Sequence, residues 1–267
     1  MPQEENVSQF FGVLRHEFSM SVRRTGMWVG YLLLYGFYLT IFFVPDLDGF
    51  ATFVPPDELW QFSGRTLFYC NMFMTVLAGI LAADRLQRDF RLGVRELQQS
   101  SPLSLPVYIL AKYFGVLAAA LTPMLIFVLL AGVIYVSMFG APVQFIGTLL
   151  VAFGAIGVPA HAFVIAFSLA CPLVIPVRVY QVLFTGYWFW GNYLNPGAFP
   201  TISDTLLVPS GKYVLYGFFG GFPSDHALPS LPYTTTDAIL NLSILTVCIV
   251  LVLFSINYYL RWQARRA

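Results

Sequence analysis

The chain has 267 residues, of which 58% are hydrophobic and only 10% are charged. Soluble domains carry about 25% charged residues and about 45–50% apolar ones. A soluble fold of this size must cover its outside with polar groups, so the composition excludes a single soluble domain and predicts that lipid surrounds much of the surface. The net charge of +1 is uninformative as a total. The distribution of charge along the chain carries more information.

The first 24 residues predict an amphipathic helix rather than a cleaved signal peptide. Acidic and basic residues are scattered through this segment, and no short apolar region with a cleavage site follows them. Over 6–24, apolar residues recur at three- and four-residue steps and form one stripe: Val7, Phe10, Phe11, Leu14, Phe18 and Val22. A helix of this kind lies along the membrane surface before the first span, either as a plain anchor or with a further role.

Six apolar stretches predict membrane-spanning helices, since a span needs about 20 apolar residues. Their ranges are 25–44, 66–83, 113–139, 143–170, 179–193 and 238–260. Gly140-Ala141-Pro142 divides the third span from the fourth, and Pro172 and Pro176 predict a turn before the fifth. Long runs without alternation are helical in lipid. We therefore predict an all-α, polytopic membrane bundle of six spans, in a single domain over 1–267.

Two connections are longer than simple turns. The segment 84–105 predicts a second amphipathic helix, with charged residues on one side and an apolar stripe on the other: Leu86, Phe90, Val94 and Leu97. The connection 194–236 is rich in proline and glycine, but its middle, 213–222, is aromatic and uncharged. We expect this part to re-enter the bilayer or to cap the bundle, because an exposed apolar patch outside lipid is unfavourable.

The basic residues predict the orientation of the chain. If the N-terminus is cytoplasmic, all but two of the 14 Lys and Arg residues fall on the cytoplasmic side. The two exceptions are Arg65 and Lys212. The opposite orientation would reverse this distribution and contradict the excess of basic residues in cytoplasmic loops. We therefore expect both termini in the cytoplasm.

Motifs for catalysis are missing from the sequence. Gly211-Lys212 lacks the upstream glycine of a phosphate-binding loop, and no H-E-x-x-H motif occurs. An intramembrane serine protease would need a Gly-x-Ser serine, whereas Ser168 follows Ala166-Phe167. The cysteines are far apart and are expected to be small buried hydrophobic residues. We predict no catalytic residue, metal or cofactor, and no nucleic-acid partner.

His161 is the single histidine within a predicted span, and it follows Pro159 closely. Ionisable residues inside spans often mark transport paths. Two interpretations stay open: His161 bonds a carbonyl freed by the proline or a neighbouring helix, or it lines a substrate path with Pro159 and Asn71. With so little charge inside the spans, we expect the energy for any transport to come from outside the membrane domain.

The order of these elements resembles that of the type-2 ATP-binding-cassette permeases. In that family a surface helix and two spans precede a basic cytoplasmic helix and four further spans. The run 84–97, followed by Ser101-Pro102, is similar to the family's loop, where a charged run, a glycine and a Ser/Leu-Pro step precede a lysine at the third span. Gly93 and Lys112 match the glycine and the lysine. The loop departs from the family at Leu97-Gln98-Gln99, where a Leu-Leu run is usual, and it has less glutamate before the glycine.

The resemblance implies a permease subunit of an ATP-driven exporter, paired with a second permease chain, the same or homologous, and with separate cytoplasmic ATPase chains. It implies that 6–24 is an elbow helix and that 84–105 is the coupling segment. It also implies residence in the plasma membrane of a bacterium or archaeon. The expected ATPase-docking residues are Arg88, Phe90, Arg91, Gly93, Val94 and Leu97. The alternative is a non-transporting membrane subunit that anchors or assembles a larger complex.

Overall fold

A computed structural model describes residues 2–43, 54, 56–91, 103–195, 197–222 and 233–266. All regular secondary structure in these ranges is helical. The helices are α1 (Pro2–Val22), α2 (Thr25–Phe43), α3 (Leu59–Ala82), α4 (Arg85–Arg91), α5 (Leu105–Met138), α6 (Gln144–Ala152), α7 (Val158–Ala170), α8 (Val177–Asn192), α9 (Lys212–Phe219) and α10 (Thr235–Ala264). A π-helical turn, Phe153–Gly157, joins α6 to α7.

Five helical stretches among the described residues are long and apolar enough to cross a membrane. They are Thr25–Phe43, Leu59–Asp89, Leu105–Met138, Gln144–Leu173 and Thr235–Ala264. The chain is therefore a helical, multi-pass membrane protein, as the composition predicts. The predicted fifth span corresponds to α8, which has only 16 residues. Its length of about 24 Å is less than the about 30 Å of a typical hydrocarbon core.

Two spans extend past charged residues that the sequence analysis takes as their limits. The second begins at Leu59 rather than at 66 and so contains Arg65, which is 3% exposed and lies near the rings of Phe62 and Tyr69. The third begins at Leu105 and contains Lys112, which is 1% exposed. Buried charges are tolerated where other groups neutralise or solvate them, so neither residue ends its helix.

The bundle has two ends, which the turns and short helices distinguish. The end that carries α4, the start of α5 and the turn 171–176 is called the basic end here. Tyr259 Oη of α10 donates to the carbonyl of Leu173 at this end (3.4 Å). At the opposite end, Gly140 adopts a left-handed conformation (φ 68°) after α5, and the amide of Ala141 bonds the carbonyl of Tyr135 (3.0 Å). This glycine and the following proline end the helix where the sequence predicts.

α8 packs along α3. Gln181 Nε2 donates to the carbonyl of Ile80 near the basic end (3.0 Å), and Trp188 Nε1 donates to the carbonyl of Met72 farther along α3 (3.0 Å). α8 therefore lies against α3 from the basic end as far as the level of Met72.

The connection between α8 and α10 packs into the bundle at the opposite end. In α9, Leu215 and Phe219 are buried, and both approach Gly64 so closely that a β-carbon there would lie 2.8 Å and 2.7 Å from their side chains. Asn241 Nδ2 of α10 donates to the carbonyls of Leu206 and Val208 (2.8 and 3.0 Å). These contacts hold the aromatic, uncharged segment around α9 against the second span and the last one. Residues 223–232 lie outside the described part.

Candidate functional site

A cluster of buried charges joins three helices at the basic end. Lys112 Nζ of α5 lies 2.6 Å from Glu17 Oε1 of α1 and 2.6 Å from Asp89 Oδ2 of α4. The side chains are only 1%, 5% and 14% exposed, respectively. Tyr108 Oη also donates to Asp89. Ion pairs removed from water depend on close geometry and on further hydrogen bonds. The cluster has close geometry and the bond from Tyr108, while Glu17 Oε2 has no partner among the described residues. We call Glu17, Asp89, Lys112 and Tyr108 the charge cluster.

A second ion pair joins the same elements nearer the surface. Arg24 donates to both carboxylate oxygens of Asp84 (3.3 and 3.0 Å), with side chains that are 28% and 41% exposed. Arg24 lies between α1 and α2, and Asp84 lies between α3 and α4. A bidentate guanidinium–carboxylate pair restricts orientation as well as distance. The start of the first span is thus held beside the end of the second.

The packed face of α1 coincides only in part with the predicted apolar stripe. Val7 and Phe11 are 56% and 60% exposed. The face against α5 contains Leu14, a member of the stripe, and Glu17, which is not a member; atoms of both lie 2.8 Å from the position that a β-carbon would take at Gly115. The stripe was assigned from hydrophobicity alone, and a buried carboxylate with a lysine partner cannot be recognised in that way.

Of the predicted ATPase-docking residues, the structure describes three and leaves the other three outside the described ranges. Arg88 is exposed and lines an open cavity of about 890 Å³ between α4 and the turn 172–178. Phe90 and Arg91 are the last two residues of α4. Gly93, Val94 and Leu97 lie outside the described residues. Leu86, the first member of the predicted apolar stripe, is 3% exposed and packs in the bundle core, so this residue faces the spans rather than a partner.

Asn71 and His161, two of the proposed path residues, meet inside the bundle, and both are fully buried. Asn71 Nδ2 donates to the carbonyls of Ile156 and Ser210 (3.1 and 3.2 Å), and Thr75 Oγ1 donates to Asn71 Oδ1 (3.3 Å). The same Thr75 oxygen lies 3.4 Å from His161 Nδ1. These bonds join α3, the π turn, α7 and Ser210, which lies two residues before the start of α9. We call Asn71, Thr75 and His161 the polar chain.

The histidine bonds a carbonyl within its own helical segment. His161 Nδ1 lies 2.9 Å from the carbonyl oxygen of Gly157, which can only accept, so Nδ1 carries a proton. Pro159 follows the π turn and has no amide proton to donate. Within the described part of the chain, His161 Nε2 has no hydrogen-bond partner. The structure thus places all three path residues beside the π turn, where the helix hydrogen bonds are irregular.

Replacing Asn71 with Leu is expected to lower the free energy of unfolding by about 1–2 kcal/mol, because side-chain hydrogen bonds between membrane helices contribute about 0.6 kcal/mol each on average. Unfolding in mixed micelles with increasing sodium dodecyl sulfate measures the change. Ser243→Ala is the matched control, since this exposed hydroxyl donates only to the carbonyl of Ile239 in its own helix (2.8 Å). A loss for Asn71→Leu no larger than for the control would contradict a structural role for the polar chain.

An ion pair at the opposite end is more exposed than the charge cluster. Lys212 Nζ lies 2.8 Å from Asp204 Oδ1, and Tyr233 Oη donates to the same oxygen (2.8 Å). Partial burial by itself would raise the pKa of Asp204, but the hydrogen bonds from Lys212 and Tyr233 outweigh this effect and lower the pKa. The pair is therefore formed at neutral pH and is lost only as the pH falls through the lowered pKa.

Comparisons with known proteins do not assign this chain to a family. No protein-family model matches it, and no curated protein matches it either. Among the described residues, no group of three or more His, Cys, Asp or Glu side chains could hold a metal ion.

Proposed function

We propose that this chain is a permease subunit of an ATP-driven exporter and that a separate cytoplasmic ATPase chain drives it. A second permease chain, the same or homologous, would complete the transport path. The observation that carries the proposal is the charge cluster, in which one lysine joins α1, α4 and α5.

The charge cluster supports a mechanical role for α4. The apolar stretch Leu59–Asp89 includes both α3 and most of α4, so a force on α4 acts directly on the second span. Asp89 passes the displacement to Lys112 at the base of α5, and Lys112 passes it to Glu17 of α1. Packed helices joined by buried ion pairs move as a unit rather than deforming. Closure of the ATPase would then tilt spans two and three together with the elbow helix.

The orientation belongs to the same proposal. We place the basic end in the cytoplasm, with both termini on that side, in agreement with the excess of basic residues in cytoplasmic loops. α8 then serves as a sixth, short span. A helix shorter than the hydrocarbon core can be accommodated by local thinning of the bilayer at a modest cost. The membrane would be the plasma membrane of a bacterium or archaeon, as the resemblance implies.

Arg88→Glu tests the docking of the ATPase. Arg88 is exposed on α4, and a charge reversal at an interface removes attraction and adds repulsion. We expect the variant to lose most of the stimulation of the partner's ATPase activity while the membrane chain still elutes as a single folded species. The measurement is ATP hydrolysis by the complex purified from the cells that encode both chains, reconstituted in vesicles.

Arg15→Glu is the matched control, because Arg15 is also exposed and basic but lies on α1. It should leave the stimulation intact. Equal stimulation of the Arg88→Glu and wild-type complexes would exclude α4 as the docking site. If no ATP-binding chain with a phosphate-binding loop co-purifies at all, the membrane-anchor alternative would replace the permease proposal.

A further inference from the structure

An apolar cavity of about 430 Å³ lies between α7, α8 and α10, with one end closed by the connection that follows α8. Its floor is formed by Val164, Phe184 and Trp188, which are 1%, 7% and 0% exposed. Its mouth is lined by Leu183 and Leu207, which are 60% and 48% exposed. This volume is within the range of about 300–1,000 Å³ that is typical of small-molecule sites. The cavity thus opens sideways on the surface of the bundle.

The floor cannot move inward to fill this space. Phe184 and Val164 already approach the backbone of α3 at Gly79, where a β-carbon would lie 2.5 Å and 2.7 Å from their side chains. Further collapse of α8 onto α3 is therefore blocked. An empty space of this size would lose the dispersion contacts of its lining, so some group is expected to fill it.

The lining excludes water and polar ligands. Tyr180 Oη shares a hydrogen bond with Ser168 (2.9 Å), and Trp188 Nε1 donates to the carbonyl of Met72 (3.0 Å). The polar atoms of these two rings are thus bonded inside the protein and are not available to a ligand in the cavity. Cavities with apolar walls stay dry, because a water molecule needs two to four polar partners.

The length and lining of the cavity suit an extended hydrocarbon chain. Along α8, the cavity extends from Tyr180 to Trp188, a rise of about 12 Å. The exposed part of its lining is almost entirely apolar. The bilayer at the mouth supplies unbranched hydrocarbon chains at high concentration.

We propose that this cavity binds one acyl chain of a membrane phospholipid, which enters sideways from the bilayer past Leu183. The bound chain packs against Leu183, Tyr187 and the accessible edge of Phe184, and it lies between α8 and α10. This site does not depend on the permease assignment, since no ATPase and no second chain takes part in it.

Quenching of Trp188 fluorescence by brominated lipid tests the proposal. The full chain, with Phe in place of Trp28, Trp60, Trp190 and Trp262, is reconstituted in phosphatidylcholine vesicles whose acyl chains carry bromine at mid-chain. Bromine quenches over a short range, and Trp188 lies directly behind the cavity wall with none of its own surface exposed. We expect strong quenching of Trp188, which shows that an acyl chain occupies the cavity. Quenching that is weak or absent would overturn the proposal.

A pair of Phe substitutions separates the cavity from the general lipid surface. Cys248→Phe adds a ring to the cavity wall and should reduce the quenching several-fold. Val182→Phe adds the same ring to α8 at a residue that is 74% exposed and does not line the cavity, so quenching should be unchanged. Equal quenching in the two variants would overturn the assignment of the chain to this cavity.

Labelling of native cysteines gives an independent measurement if Cys248→Phe does not fold. Cys171 and Cys248 line the cavity, whereas Cys70 is fully buried elsewhere and serves as the unreactive reference. In detergent, alkylation of the two cavity thiols by a small maleimide should slow several-fold when phosphatidylcholine is added. The variant Val182→Cys has a thiol on the exposed surface of α8, and its alkylation rate shows how far added lipid changes the reagent concentration at the protein surface. Unchanged rates at Cys171 and Cys248 would overturn the proposal.

Discussion

Replacing Lys112 with Met is expected to lower the free energy of unfolding by about 3–5 kcal/mol, since removing one partner of a buried ion pair leaves an uncompensated buried charge. Here two carboxylates, Glu17 and Asp89, lose their cation at once. Titration with sodium dodecyl sulfate in mixed micelles measures the loss. The triple variant Glu17→Gln, Asp89→Asn, Lys112→Met removes all three charges and should recover much of the stability, because a neutral replacement of a buried cluster is often tolerated.

Lys212→Met is the matched control for this prediction. Lys212 makes an ion pair of similar length with Asp204 (2.8 Å), but the two side chains are 15% and 38% exposed. More exposed pairs contribute about 0–1 kcal/mol, so this loss should be small. Similar losses for Lys112→Met and Lys212→Met would mean that the charge cluster is solvated and does not hold α1, α4 and α5 together.

Replacing Gly115 with Ala is expected to destabilise the chain by about 1–3 kcal/mol, as overpacking of a close interface does. The added β-carbon would lie 2.8 Å from the carbonyl oxygen of Leu14 and 2.8 Å from Glu17 Cβ, and a backbone oxygen cannot turn aside. α1 must therefore move away from α5, which also lengthens the Glu17–Lys112 pair. The same titration measures the change, and loss of stimulation of the partner's ATPase would accompany it if the elbow helix transmits force.

Gly147→Ala is the control for this prediction, because Gly147 lies on another span and has open space around it. A β-carbon at Gly147 would meet no heavy atom within 4 Å, and the residue is exposed. Glycine inside a helix is less favourable than alanine by about 0.5–1 kcal/mol, so this variant should be neutral or slightly more stable. The two glycine variants thus have opposite expected signs. A stabilising effect of Gly115→Ala would contradict the close packing of α1 on α5.

The sequence was sufficient to predict the helical, multi-pass character of the chain and several of its turns. Uncharged runs and the breakers Gly140 and Pro176 are local signals, and the observed helices end or begin beside them. The starts of the second and third spans were predicted too late, at 66 and 113 instead of Leu59 and Leu105. In both cases a charged residue was taken as the membrane boundary. Periodicity does not reveal whether a charge has a buried partner.

The candidate sites required the tertiary structure, because their members are far apart in the chain. Lys112 and Glu17 are separated by 95 positions, and Asn71 bonds a carbonyl 139 positions away. The sequence showed Asn71 and His161 to be polar residues within spans. No pattern in it indicated that Thr75 bonds both of them or that a π turn lies beside them. The role of Glu17 could not be predicted either, because this residue lies beside an apolar stripe that was assigned to the membrane surface.

By itself, the sequence determined that this protein is embedded in a lipid bilayer. Because 58% of the residues are hydrophobic and few are charged, much of the protein surface must face lipid. In lipid, helices satisfy the hydrogen bonds of the backbone. Only the tertiary structure decided which charges remain inside the bundle and where an apolar cavity is left between helices. Both depend on how side chains from distant segments fit together in space, and composition and periodicity describe each segment alone.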